Sequence, residues 1–193
     1  MSFLLALARI IDKINEKIGL IISWALLIAV LICAGNAIVR YTFNMSSNAW
    51  LEIQWYLYSA VFLLAAGYTL RRNEHVRIDV VASHFPKRLQ VGIDAFGFLF
   101  FLLPMVAITL WYSIPYTILS IEGQEMSSNA GGLIVWPAKI LIPIGFTLLA
   151  LQGISEFIKR IGYLMGRVDA SEFEKQAESP DDQVAAVAQN INK

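Results

Sequence analysis

Apolar and polar positions alternate on two scales along this chain. On the long scale, four apolar blocks are separated by short polar or basic stretches. Residues 18–39 form a run without a charge. Residues 50–70 are apolar and aromatic, with one carboxylate, Glu52, near the start, and they stop at Arg71 and Arg72. Residues 89–112 and 136–158 complete the set. About 20 apolar residues in a helix cross a hydrocarbon layer of about 30 Å. A charge at the bilayer centre costs about 2.5–3.5 kcal/mol, so an arginine pair marks the end of a span. The pattern predicts an all-α membrane protein with four transmembrane helices at about 18–39, 50–70, 89–112 and 136–158.

On the short scale, Phe3, Leu4, Leu7, Ile10, Ile11, Ile14 and Ile18 recur at helical spacing. Arg9, Asp12, Lys13, Glu16 and Lys17 fall mostly on the other side. Residues 1–17 are therefore expected to form an amphipathic helix in the membrane surface, apolar face down. The competing expectation is that they extend the first span or pack on a partner. Pro104 and Pro115 are expected to kink or end the third span, since each lacks the donor that continues the helical ladder. Residues 120–132 are rich in turn formers and predict a loop. Trp136-Pro137 suits a helix start, and Pro143 is expected to bend the fourth span. From Val168 onward the sequence turns to Asp, Glu, Gln, Ser and Ala, with Pro180. The chain thus divides into residues 1–17, a transmembrane domain at 18–160, and a tail at 161–193 that is mostly expected to be disordered.

Composition agrees with a membrane protein. The 193 residues are 57% hydrophobic and only 16% charged, where a soluble domain carries about 25% charge. The single cysteine, Cys33, excludes an intrachain disulfide and a cysteine metal site. No cleavable leader is expected, because charges interrupt the first apolar residues and no small-residue cleavage pattern follows. The net charge of zero gives no pull toward nucleic acid, and no nucleic-acid partner is expected. The distribution of charge carries more information. Arg9, Lys13 and Lys17, then Arg71, Arg72, Arg77, Lys87 and Arg88, then Lys159, Arg160, Arg167, Lys175 and Lys193 share one side, against Arg40 and Lys139 on the other. The positive-inside rule then puts both termini and the 71–88 connection in the cytoplasm. Residues 44–48 and 120–132 face outward. Trp50, Trp55, Trp111 and Trp136 cluster toward that outer side, as interface aromatics do.

Glu52 is the most informative carboxylate, since an intramembrane acid is a functional candidate by default. At the outer end of its span it is expected to pair with Arg40, across the short turn. Asp94 is expected to pair with the basic inner level, where Arg71, Arg72, Lys87 and Arg88 lie. Lys139 can snorkel outward or meet Glu122 or Glu125. Gln54 and Asn36 can hydrogen-bond between helices. The run Arg71, Arg72, His75, Arg77 and Asp79 suits anionic lipid headgroups or a partner subunit. His75 and His84, the only histidines, both fall in or beside this connection, away from the facing intraspan positions that haem ligation wants. No phosphate loop or nucleophile motif is present. No metal, no cofactor and no enzymatic activity are expected.

At these residues the chain resembles the DctQ family, the small membrane subunit of tripartite ATP-independent periplasmic (TRAP) transporters. The shared features are Glu52, the small residues Ala65, Ala66 and Gly67, then Arg71, His75, Val76, Ile78 and Asp79. Further along come Trp136, Pro137, Ile142, Pro143, Ile144 and Gly145. The resemblance covers roughly residues 18–160. It implies a bacterial inner-membrane subunit without a transport site of its own. The partners it implies are a large DctM-like membrane subunit, which carries substrate in a sodium-coupled elevator motion, and a DctP-like periplasmic substrate-binding protein. The implied cargo is an organic acid anion such as a dicarboxylate or a sialic acid. Ser127, Ser128 and Asn129 are candidates for touching the periplasmic protein. The reading from a different class is a self-sufficient homo-oligomeric transporter or channel that uses Glu52 as its coupling acid.

Overall fold

A computed structural model of the chain describes residues 2–45, 47–72 and 85–168. Its regular structure is helical: α1 (Ser2–Phe43), α2 (Asn48–Arg71), α3 (Lys87–Gly97), a π-helical turn (Phe98–Leu102), α4 (Leu103–Glu122), α5 (Trp136–Lys139) and α6 (Leu141–Leu164). By length and composition, four units can cross a membrane: Phe3–Phe43, Asn48–Arg71, Lys87–Glu122 and Trp136–Leu164. His75, Arg77, Asp79 and His84, and the tail from residue 169, lie outside the described residues.

Three expectations are corrected. First, the amphipathic segment is not a helix set apart. It forms the first turns of α1, whose 42 residues would span about 63 Å at 1.5 Å per residue. Arg9, Lys13 and Lys17 are exposed as expected of the polar side, but Asp12 is not. Leu7, Ile10 and Ile14 are exposed, while Ala8, Ile11, Asp12 and Asn15 are buried. The buried positions recur at i, i+3, i+4 and i+7, so they form one stripe. Second, the third helix continues through Pro115 to Glu122. Third, Pro104 does not end it either. The ring lacks an N–H and crowds the carbonyl of Phe100, and the wider π turn at Phe98–Leu102 takes up that misfit.

Near Pro143 the helix is interrupted, and the cause is visible. Proline cannot donate to the carbonyl four residues earlier, that of Lys139. The helix breaks at Ile140, between α5 and α6. The freed Lys139 carbonyl lies 3.3 Å from the Thr117 hydroxyl of α4. That hydroxyl has one proton and lies closer to Ser113 O, at 2.8 Å, so the freed carbonyl shares the donor with the neighbouring helix's own backbone.

Helix α6 is the hub. It packs on α1 and α2 on one side and on α3 and α4 on the other. Its second turn approaches α2 at Gly145, where an added Cβ would stand 2.7 Å from the Leu63 carbonyl oxygen and 2.8 Å from Leu63 Cβ. The bundle is inside-out compared with a soluble one. Ile21, Trp24, Phe62 and Trp111 are exposed, and buried polar or charged residues outnumber buried apolar ones among the described residues. We expect Gly145→Ala to force α2 and α6 apart, since the obstructing atoms are backbone. Overpacking of this kind costs about 1–3 kcal/mol, and thermal unfolding of the purified protein should fall accordingly.

Candidate functional site

Polar chemistry concentrates at the two ends of the bundle. At the first end, the buried stripe of α1 meets the last turns of α6. Gln152 is the bridge: its Oε1 accepts from Asn15 Nδ2 at 2.9 Å, and its Nε2 donates to Asp12 Oδ1 at 2.9 Å and Glu156 Oε1 at 3.2 Å. The Ser155 hydroxyl donates to Asp12 Oδ1 at 2.8 Å. Lys159 pairs with Asp12 at 3.1 Å and also with Glu156. Arg160 pairs with Glu156 and reaches Asp94 of α3 at 3.4 Å, with its guanidinium 4.5 Å from the Phe98 ring centroid. Arg71 closes the α2 side, 2.9 Å from Glu16 and 3.1 Å from the Asp12 carbonyl. The spacing within α6 makes this compact, because Glu156, Lys159 and Arg160 stand at i, i+3 and i+4 on one face.

At the other end, residues 125–135 form a small hairpin. Met126 and Ile134 bridge antiparallel. Ser127 N donates to Leu133 O at 2.9 Å, and Val135 N to Glu125 O at 2.9 Å. One stripe of α2 holds it. Asn48 Nδ2 donates to Ala130 O at 2.9 Å, and the Tyr56 hydroxyl donates to Ile134 O at 2.9 Å. Between them Glu52, only 3% exposed, enters the hairpin. Its Oε1 accepts from the Ser127 hydroxyl and from Asn129 Nδ2 at 3.0 Å, and its Oε2 accepts from Leu133 N at 2.6 Å. Asn48, Glu52 and Tyr56 stand at i, i+4 and i+8, so one helix face carries all three. Gly132 makes room, since a Cβ there would come within 2.8 Å of Glu52 Oε1.

Beside the hairpin, Glu125 pairs with Lys139 and accepts from the Ser120 hydroxyl at 2.6 Å. Lys139 Nζ also lies 4.0 Å from the Tyr116 ring centroid. The lysine's hydrogen bond, then that of Ser120, holds the Glu125 carboxyl below the 4.5 of an ordinary glutamate.

A family model for the DctQ component of tripartite ATP-independent periplasmic transporters matches residues 21–162, well over half of the chain. The chain belongs to the DctQ family. Comparison with curated proteins and with solved structures returns no match. As a DctQ component it is the small membrane subunit of a TRAP transporter, a multi-pass membrane protein. Its tripartite system has DctM and DctP as the other components. Both ends of the α2 and α6 geometry lie within the matched region, whereas Asp12, Asn15 and Glu16 lie ahead of it.

The sequence-derived pairings fare unevenly against this geometry. Arg40 lies exposed at the end of α1, and Glu52 turns away from it to neutral donors of the hairpin. Asp94 meets Arg160 of α6, and Arg71 meets Glu16 of α1. Arg72 stacks over Tyr68. Of the two glutamates offered to Lys139, the structure selects Glu125. Gln54 is buried, yet its Nε2 meets no acceptor among the described residues. Asn36 lines an apolar cleft between α1 and α2 of about 430 Å³. The Ser127 hydroxyl and the Asn129 amide donate to Glu52, while Ser128 and Asn129 are exposed residues. Sequence reasoning missed Asn15, Gln152, Ser155 and Glu156. The signal that could have found them is the i, i+3, i+4 charge set of α6 facing Asp12 and Asn15 at i, i+3.

Two outcomes follow from these contacts. A depressed carboxyl stabilises the folded form fully above its unfolded value and loses that contribution as pH falls through its folded value. The Glu125 tether should therefore persist at neutral pH and fade below about pH 4.5. Hydrogen exchange of residues 123–135 against pH should show this, with the dependence reduced in Glu125→Gln. At the opposite end, Lys159→Met leaves buried carboxylates short of a cation, which costs about 3–5 kcal/mol. Adding Asp12→Asn should recover part of the loss in a thermal-unfolding cycle.

Proposed function

We propose that this chain is the non-catalytic scaffold of a sodium-coupled TRAP importer for an organic acid anion, such as a dicarboxylate or a sialic acid. It braces the large DctM-like membrane subunit and helps to dock the DctP-like substrate-binding protein. Its place is the bacterial inner membrane, with both termini and the 71–88 connection in the cytoplasm. The distribution of lysine and arginine supports that orientation, which puts the 125–135 hairpin on the periplasmic side.

The observation that carries this reading is where the charges are. The buried charged side chains of the described residues stand in two groups, one around Glu156, Lys159 and Arg160 and the other at Glu52. Between them α2 and α6 meet through Gly145 and Leu63. Secondary transporters bind substrate and ions near the midplane, at unwound helices lined by polar groups. Here the stretch between the two charged groups instead brings α6 close onto the α2 backbone. Broad apolar flanks with Ile21, Trp24, Phe62 and Trp111 exposed suit burial in lipid or against a larger membrane subunit.

Deleting the chain should abolish uptake by the intact system. The purified chain alone in liposomes should move neither sodium nor organic anion. Transport by the isolated chain would overturn the scaffold reading in favour of a self-sufficient carrier.

A further inference from the structure

We infer that Glu52 is a positioning residue: it templates the 125–135 hairpin as the surface that receives the substrate-binding protein. The inference rests on the docking reading above and names the element and the residue that perform it.

The hairpin has little to hold it by itself. It contains one antiparallel bridge, between Met126 and Ile134, and isolated hairpins are marginal in water. Glu52 supplies what is lacking. Its carboxylate has roughly four acceptor sites, and the chain's own donors take three: a hydroxyl from one strand, the Asn129 amide at the turn, and the Leu133 backbone N–H from the other strand. One anion thus ties both strands and the turn to α2. Asn48 and Tyr56 fix the hairpin on either side of it.

This arrangement also decides what a partner meets. The Ser127 hydroxyl and the Asn129 amide are committed to Glu52, so those groups serve internal order. Ser128, Asn129, Ala130 and Gly131 form the exposed crest. These residues are small and uncharged, which lets another protein's backbone come close. Residues 126–135 contain no charged side chain, so the crest suits a partner recognised through shape and backbone polar groups. Glu52 itself is buried and occupied by neutral donors, a poor arrangement for capturing and releasing a cation.

The test uses the assembled membrane complex in nanodiscs, titrated with the fluorescently labelled substrate-binding protein of the same system. Glu52→Gln turns one acceptor into an amide that faces the Leu133 N–H. Gly132→Ala places a methyl against the Ser127 side chain and Glu52 Oε1, crowding the bond between them without altering any charge. Both should raise the half-saturating concentration of binding protein about tenfold or more, the scale of one lost hydrogen bond to a charged group. Both should also speed hydrogen exchange in residues 125–135 while α1 and α6 keep their protection. Ala130→Trp, on the crest, should weaken docking to a similar degree with hairpin protection unchanged. Unchanged hairpin protection in Glu52→Gln would overturn the positioning role. A loosened hairpin with unchanged affinity, or normal docking by Ala130→Trp, would overturn the hairpin as the receiving surface. Failure of the wild-type complex to bind the substrate-binding protein at all would instead remove the docking reading itself.

Discussion

Lipid gives an apolar side chain nothing to escape from, so the hydrophobic effect cannot hold helices together inside a bilayer. The rest of this structure follows from that constraint. Its large apolar side chains point outward, and its interior is made of groups that lipid would penalise. Asp12, Asn15, Gln152, Ser155, Glu156, Lys159 and Arg160 are all buried, each with a partner from the same set. An unpaired member would be costly, which makes the set cohesive. Where no such pair is available, between the two polar ends, close packing replaces it. There Gly145 lets α6 lie directly on the backbone of α2.

The same constraint accounts for what could and could not be read from the chain. The four spans were legible because charge punctuates them and insertion penalties are large. The buried stripe within residues 3–17 was not. The amphipathic reading assumes water along the whole polar side, whereas Asp12 and Asn15 face α6. Glu156 escaped notice for a related reason. Lys159 and Arg160 read from the sequence as cytoplasmic charge, whereas in the fold they turn back on Glu156.

The hairpin shows a different limit. Residues 120–132 have the composition of a loop, and composition says nothing about a template elsewhere in the chain. Glu52 lies 75 positions before Ser127. Its sequence neighbour across the turn, Arg40, looked like the natural partner because opposite charge is visible in a sequence. A set of neutral donors converging on a carboxylate is not visible there. The family match is consistent with both outcomes: the motif residues of α2 and α6 were recognisable, and what Glu52 touches had to come from geometry.

Helix α2 joins the two polar ends. Glu52 sits near its start and Arg71 at its finish, about 28 Å apart at the rise of an α-helix. Each is fixed to a different part of the fold: Glu52 to the hairpin, Arg71 to Glu16 and the Asp12 carbonyl of α1. A slip of one turn, about 5.4 Å, would carry both side chains beyond hydrogen-bond range at once. Rotation about the helix axis is blocked as well, because Asn48, Glu52 and Tyr56 share one face. The mid-section, where Leu63 meets Gly145, then has no shear mode left through α2. A helix fixed in this way at both ends resists sliding without needing strong attraction along its length. On the proposed scaffold reading that mechanical property is what a static subunit requires, and it comes from two small polar sites rather than from the extent of apolar contact.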